Sequence, residues 1–350
     1  MTKNKFTIAI DAMGGDFAPK EIVKGTIAAA KKFPELNFKL YGQSEKVIEF
    51  LTDDLSNIEV IDAREIIEMG EEPVKAMRTK KDSSLVRAAT DVKNGNADAL
   101  FSAGNTGALL SSAIFIIGRI KGVLRPALLT TLPSVKQPDK QWVLMDVGAN
   151  AESKSIYLYQ FGILANFYAE KILKYKKPIV KLLNNGSEED KGDQVHKEAY
   201  QLLKKSLLNF QGNIEARELL EGQADIVVAD GFSGNAALKA TEGTALAIFS
   251  SLSRVIKNGN FKTKIGGLLL KPALKEFAKV LDYNNAGGAV ILGVNAPVVK
   301  THGSAKSIAV TNTIAQLKEM LDTNLVKDVT KYVEKHEEEF NVKVEDNGRN

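Results

Sequence analysis

Asp225-Ile226-Val227-Val228-Ala229-Asp230-Gly231-Phe232-Ser233-Gly234-Asn235 is an unbroken apolar run that ends in a carboxylate and a glycine-containing polar loop. A strand with one face in water alternates apolar and polar residues. Ile226 to Ala229 does not alternate, so both its faces are covered, as in a parallel sheet flanked by helices. The same reading predicts strands at 7–11, 37–41, 59–62, 97–102, 127–131, 142–146, 179–184, 225–230, 290–292 and 298–301. Helical-period segments separate them, among them 153–174, 188–208 and a C-terminal run over 304–340, which is the pattern of βαβ units. No Pro/Gly/Ser-rich linker or short repeat divides the chain. The expected architecture is α/β, a three-layer α/β/α arrangement with a mostly parallel sheet, forming one catalytic domain over residues 1–350.

Composition narrows the chemistry. The 350 residues are 44% hydrophobic and 26% charged, which excludes disorder, collagen and coiled coil as the main class. Without cysteine there are no disulfides, thiolate metal sites, iron–sulfur clusters or cysteine nucleophile. The stretch 99–118 has the length of a membrane span but holds Ser102, Asn105, Thr106, Ser111 and Ser112, so it reads as strand, polar loop and buried helix. The N-terminus lacks an apolar signal region, and a cytoplasmic location is expected.

Six predicted strands end in a polar, Gly-containing loop that opens a helix: 11–16, 102–107, 146–150, 184–188, 230–235 and 301–304. In an open parallel sheet such loops gather at one edge, where ligands bind. Glycine lets a backbone approach a ligand closely, and helix N-termini offer free N–H groups, so an oxyanion is the natural guest. Each loop singly also fits ordinary turn and cap chemistry; the recurrence favours a phosphate-type ligand. The dinucleotide and P-loop signatures are missing, and Gly231-Phe232-Ser233-Gly234-Asn235 has Asn where a nucleophile elbow has Gly. His302 either lines this site or caps its loop, His196 reads as a surface residue, and Lys191 reads as a solvated lysine that neighbouring anion loops would turn into a phosphate partner.

Residues 8–19, Ser102-Ala103-Gly104-Asn105-Thr106-Gly107-Ala108, Asp146-Val147-Gly148-Ala149-Asn150, Gly231-Phe232-Ser233-Gly234-Asn235 with Leu238-Lys239, and the tail from Gly287-Gly288-Ala289 to His302-Gly303 resemble the bacterial acyl-acyl carrier protein:phosphate acyltransferase family, PlsX. The resemblance spans about residues 6–320 and departs at Asn185, where that family usually has an apolar residue. It implies conversion of a fatty acyl thioester of acyl carrier protein plus inorganic phosphate into acyl phosphate and free carrier protein. It further implies a fold like phosphotransacetylases and isocitrate dehydrogenases, a homodimer, peripheral contact with an anionic cytoplasmic membrane and a downstream membrane glycerol-3-phosphate acyltransferase as partner. Phosphate is its own nucleophile, so the reaction calls for no cofactor and no metal. The catalytic candidates are then Lys191, Asn235 and His302. Lys191 with the amides around Gly14, Gly15, Gly104, Asn105 and Thr106 would hold phosphate, while Asn235 and the loop after Gly231 would stabilise the tetrahedral oxyanion. Asp11, Asn150, Gly186, Ser233 and Gly303 complete the expected binding set. A nicotinamide-dependent dehydrogenase and a non-catalytic scaffold are the rival classes.

The formal charge of +4 is unevenly spread: Arg254 to Lys279 carries seven bases against Glu276, hence +6, leaving −2 elsewhere. With no positive excess outside that segment, nucleic acid is not an expected partner. Ala245, Ile248, Phe249, Leu252, Val255 and Ile256, and after Pro272 the set Leu274, Phe277, Ala278 and Leu281, follow helical spacing and predict an amphipathic helical pair at about 244–282. Both stripes could face a core. Against that, Ile265 to Leu270 falls at the expected tip, so Leu268, Leu269, Leu270, Lys262 and Lys264 are the predicted membrane contacts.

Overall fold

The computed structural model describes residues 6–137, 140–281 and 287–340, with the side chains of 275–281 outside the described residues. Eleven strands form one sheet: β1 (Phe6–Asp11), β2 (Leu36–Gly42), β3 (Ile58–Asp62), β4 (Ala99–Ser102), β5 (Ala127–Pro133), β6 (Gln141–Met145), β7 (Ile179–Asn184), β8 (Asn209–Glu215), β9 (Ile226–Val228), β10 (Ala289–Leu292) and β11 (Val298–Lys300). Their order is β3-β2-β1-β4-β11-β10-β5-β6-β9-β7-β8. β1, β4 and β9 are apolar because helices cover both faces: Ile8, Ile10, Phe101 and Val228 point into one core layer, Ala9, Leu100 and Val227 into the other. The arrangement is α/β and mostly parallel, as expected.

Sheet polarity corrects the expectation that all six loops gather at one edge. β10 is antiparallel to β11 and β5, and β5 is antiparallel to β6. The strands β1 to β4 and β11 therefore run one way, and β6, β9, β7 and β8 the other. Three loops leave one edge (after β1, β4 and β11) and three leave the opposite edge (after β6, β7 and β9). The two sets can meet only across the face of the central strands. Antiparallel β10 and β5, largely apolar and buried like the parallel strands beside them, leave too little contrast in the sequence to reveal that reversal.

β8 is a further correction, absent from the predicted strands. It is an edge strand, polar through Asn209, Gln211 and Asn213, with Gly212 at φ 83° and an irregular register against β7. The predicted helix at 188–208 is shorter, Gln194–Lys205, begun by an Asp193 cap. The C-terminal run divides into Ser307–Asp322, Leu325–Lys335 and Glu337–Phe340, broken where Asn324 adopts the left-handed conformation at φ 53°. Residues 99–118 form β4, then Thr106–Ser112 and a π-helical turn Ala113–Ile117, matching the strand–loop–helix reading. Among the described residues no helix is long and apolar enough to cross a membrane.

The amphipathic pair also differs in detail. Its first helix is continuous from Gly231 to Asn258 and the second runs Phe261–Leu281 with Pro272 inside it. The Asn260 carboxamide accepts from the N–H of Thr263 at 3.0 Å and from its hydroxyl at 3.1 Å. This cap starts the helix well before Pro272. Ile265 to Leu270 is therefore helical and not a loop tip. Of the predicted second stripe, Phe277, Ala278 and Leu281 lie outside the described side chains.

Candidate active site

The first set of loops is knit by Asp11. This buried carboxylate ends β1 and accepts the hydroxyls of Ser84 at 2.6 Å and Ser102 at 2.7 Å. Burial pushes its pKa up, opposed by the serine and loop N–H donors. Ser102 Oγ also accepts the Gly104 N–H at 3.0 Å, so one network holds the loops after β1 and β4 together. A Cβ on Gly14 would stand 2.5 Å from Asp11 Oδ2 and 2.8 Å from the Gly104 nitrogen, which is why glycine is required there. The loop after β11 joins them through the Asp16 N–H, which donates to the Gly303 carbonyl at 2.8 Å.

Asp146 does the same work at the opposite edge. Its Oδ1 accepts the N–H groups of Leu128, Gly148 and Ala149 at 3.1, 3.1 and 2.9 Å. Its Oδ2 accepts the backbone and side-chain N–H of Asn150 at 2.8 and 2.9 Å. Five donors shape this turn around one fully buried carboxylate, whose pKa burial nonetheless pushes up.

A third carboxylate, Asp230, caps the helix Gly231–Asn258 by accepting from Phe232 N at 3.0 Å and Ser233 N at 2.9 Å. Its Oδ2 faces His196 Nε2 at 3.4 Å, and His196 Nδ1 meets Asp193 at 2.7 Å. Burial works against the Asp230 charge, but His196 and the capping N–H groups overcome it and hold the carboxyl well below its ordinary range. The Asp230 contact, ahead of the opposing burial, raises the His196 pKa, with Asp193 adding to it. His196 is thus wedged between two carboxylates, where a surface position was expected. A histidine three residues after an N-cap aspartate was the available signal.

These two frames enclose a cleft of about 450 Å³. Asp16, Thr106, Thr301, His302 and Gly303 line it from the first edge, Leu128 and Thr130 of β5 form its floor, and Val147 and Gly148 close it from the second. The long helix passes over it with Asn235, Leu238, Lys239 and Glu242, and Lys300 and residues Gly287 to Ala289 complete the wall. A smaller cavity, about 230 Å³, lies among Tyr159, Leu202 and Tyr332 and holds none of these loops.

Of the predicted site residues, Asn235, His302, Thr106 and Gly303 line the cleft. Asn235 packs on Gly148, where a Cβ would lie 3.4 Å from the asparagine Cβ and Cγ. His302 Nδ1 meets the Ser304 hydroxyl at 2.8 Å, so it both lines the site and braces its loop. Asp11, Gly14, Gly15 and Gly104 are not among the lining residues and lie behind them, in the tightly packed loops after β1 and β4. The Asn105 carboxamide turns away, donating to the carbonyls of Glu68, Met69 and Glu71 at 3.2, 3.0 and 3.1 Å. Asn150 is engaged by Asp146, and the Ser233 N–H by Asp230. Gly186 lies under the Lys191 stem, and Lys191 is exposed outside the cleft walls. Lys239 and Lys300, which do line the cleft, were absent from the predicted set.

With this geometry in place, comparisons with known proteins are informative. A model of a fatty acid synthesis protein family matches residues 6–328. The chain is 64% identical to a phosphate acyltransferase of Oenococcus oeni over 97% of this chain and 99% of that protein. It is also 64% identical to a phosphate acyltransferase of Leuconostoc mesenteroides over 95% of this chain and 97% of that protein. Among solved structures, a phosphotransacetylase from Streptococcus pyogenes matches with TM-score 0.57 at 17% identity, covering 92% of this chain and 94% of that one. A phosphotransacetylase from Staphylococcus aureus matches with TM-score 0.54 at 18% identity, covering 90% and 96%. At these identities the solved structures speak for the fold alone.

Proposed function

Because this chain belongs to the fatty acid synthesis protein family and is an acyltransferase, we propose that it transfers a fatty acyl group from acyl carrier protein to inorganic phosphate. The observation that carries this reading is the cleft itself. Loop amides, Asn235, His302 and two lysines converge on a space walled by glycine turns and floored by Leu128 and Thr130. A phosphate oxygen attacks the thioester carbonyl, the carbonyl oxygen becomes a tetrahedral oxyanion, and its collapse expels the carrier thiolate and leaves acyl phosphate. The protein positions the phosphate and stabilises the oxyanion. Asn235, at the start of the helix and against Gly148, supplies the side-chain donor for the oxyanion, and the amides around Gly14 and Gly104 cradle phosphate. Lys191, outside the cleft walls, adds positive charge toward the phosphate. His302 tunes a phosphate proton.

The product is an activated acyl group suited to a membrane glycerol-3-phosphate acyltransferase, and so to phosphatidic acid synthesis. The reading includes a homodimer in the cytoplasm, held peripherally to anionic membrane through Leu268, Leu269 and Leu270 with Lys262 and Lys264. Incubating the purified protein with palmitoyl-acyl carrier protein, with and without phosphate, and following acyl phosphate by mass spectrometry tests the reaction. Acyl phosphate forming only with phosphate present supports it; carrier release without phosphate means a thioesterase.

A further inference from the structure

Lys300 ends β11, is half-buried and lines the cleft. The Nζ donates to the Thr301 carbonyl at 2.8 Å, and among the described residues no carboxylate comes within ion-pair distance of it. Asp16 is the opposite charge that acts on it, and Lys239 across the cleft is a like charge. Lys239 is itself paired with Glu242 at 2.7 Å, so the two lysines are not equivalent. One is paired and exposed; the other is half-buried, lines the cleft and has only the more distant Asp16 as an opposite charge. Burial, reinforced by Lys239, pushes the Lys300 pKa down to about 8. A half-buried ammonium held this way is unfavourable until an anion satisfies it.

We propose that Lys300 is a phosphate-binding residue of the cleft, donating from Nζ to the inorganic phosphate while the Thr301 carbonyl fixes its direction. Main-chain N–H groups near Gly303 and Gly14 share the same anion, and Lys239 contributes field without contact. This assignment rests on the phosphate acyltransferase reading of the site and adds to it, beside the predicted Lys191, a cation that lines the cleft itself.

The test uses the full-length protein and inorganic phosphate as the probe. Lys300→Met keeps the stem and removes the charge. The apo variant is expected to melt at or above the wild-type temperature, because an unpaired buried charge has been removed. Phosphate is expected to raise the melting temperature of the wild type and to leave Lys300→Met unmoved. In the acyl transfer assay, KM for phosphate is expected to rise about tenfold or more, with KM for the acyl carrier substrate within about twofold of wild type. Lys300→Arg is expected to recover part of the phosphate response. If Lys300→Met folds and binds phosphate as tightly as wild type, the inference is overturned although the reaction stands. If the wild type makes no acyl phosphate, the reaction reading falls, and phosphate-dependent melting still decides whether Lys300 holds the anion. A Lys300→Met protein that melts far lower than wild type without phosphate would make the residue structural and overturn the proposal.

Discussion

Gly234 lies against the main-chain carbonyl of Asp146 so closely that a methyl group at 234 would overlap the carbonyl oxygen. The first turn of the long helix is thereby seated on the turn that follows β6, and Asn235 is delivered beside Gly148. The neighbouring Gly231 is equally constrained by the Asn150 carbonyl. Gly234→Ala would gain helix propensity but force helix and turn apart. Overpacking of this kind costs about 1–3 kcal/mol, more than the gain of up to about 1 kcal/mol from replacing glycine. A lower melting temperature and a loss of acyl transfer are therefore expected together. An active, unshifted Gly234→Ala protein would mean that this contact does not position Asn235.

Asn235 and Lys191 separate the two halves of the proposed chemistry. Asn235 lines the cleft, so Asn235→Ala should act on the developing oxyanion and lower kcat by about tenfold or more. Lys191 sits outside the cleft walls, so its proposed role in holding phosphate predicts that Lys191→Ala raises KM for phosphate more than it lowers kcat. Steady-state kinetics on folded variants distinguishes the two patterns. Near-wild-type rates in both would sink the role assignment.

The pair His196 and Asp230 predicts a pH window for stability. His196 has its folded pKa raised above the ordinary value near 6.5, so its contribution is complete below that value and is lost as pH rises through the folded pKa. Asp230 has its folded pKa lowered, so its contribution is present above the ordinary aspartate value of about 3.9 and is lost as pH falls through the folded pKa. Their overlap runs from about pH 4 to about pH 6.5. His196→Gln should therefore lose most stability relative to wild type near pH 5, with the gap narrowing above pH 7. Urea midpoints for both proteins across that range give the comparison, and a gap that does not vary with pH would show that the histidine is not charged there.

Much of the sheet is legible because buried parallel strands carry an unmistakable composition, as in Ile226-Val227-Val228. β8 is not, since an edge strand with Gln211 and Gly212 needs only one partner and one covered face. The loops of the site are legible as chemistry but not as geometry. Asp11, Asp146 and Asp230 look alike in sequence, each ending a strand before a glycine turn, yet β10 and β5 reverse the sheet and send their loops to opposite edges. Lys300 is invisible for a related reason. In Val298-Val299-Lys300 it reads as a strand-end lysine in water, and only the antiparallel neighbour Ala289 and the helix bearing Lys239 turn its surroundings into a cleft wall. His196 reads as a surface residue because its partner Asp230 is remote in sequence.

The second helix of the pair tests membrane contact directly. Leu268, Leu269 and Leu270 are 68%, 76% and 57% exposed, and they stand on a helix that also bears Lys262, Lys264 and Lys271. Gly267 sets the orientation, since a Cβ there would run into Ile256 of the first helix, so the leucines that follow are turned away from that contact. An exposed leucine triplet has no stabilising role in a chain surrounded by water, whereas burying each side chain in lipid gains about 1.5–3 kcal/mol. The flanking lysines add about 1 kcal/mol each near an anionic surface and fade with salt. Leu268→Glu with Leu269→Glu is therefore expected to abolish flotation with phosphatidylglycerol vesicles while acyl transfer from soluble acyl carrier protein stays near wild type. Raising ionic strength should weaken binding of the unaltered protein. Vesicle binding that survives the double substitution would place the anchor elsewhere, and loss of binding and soluble activity together would assign these leucines to the carrier-protein dock or to a subunit contact.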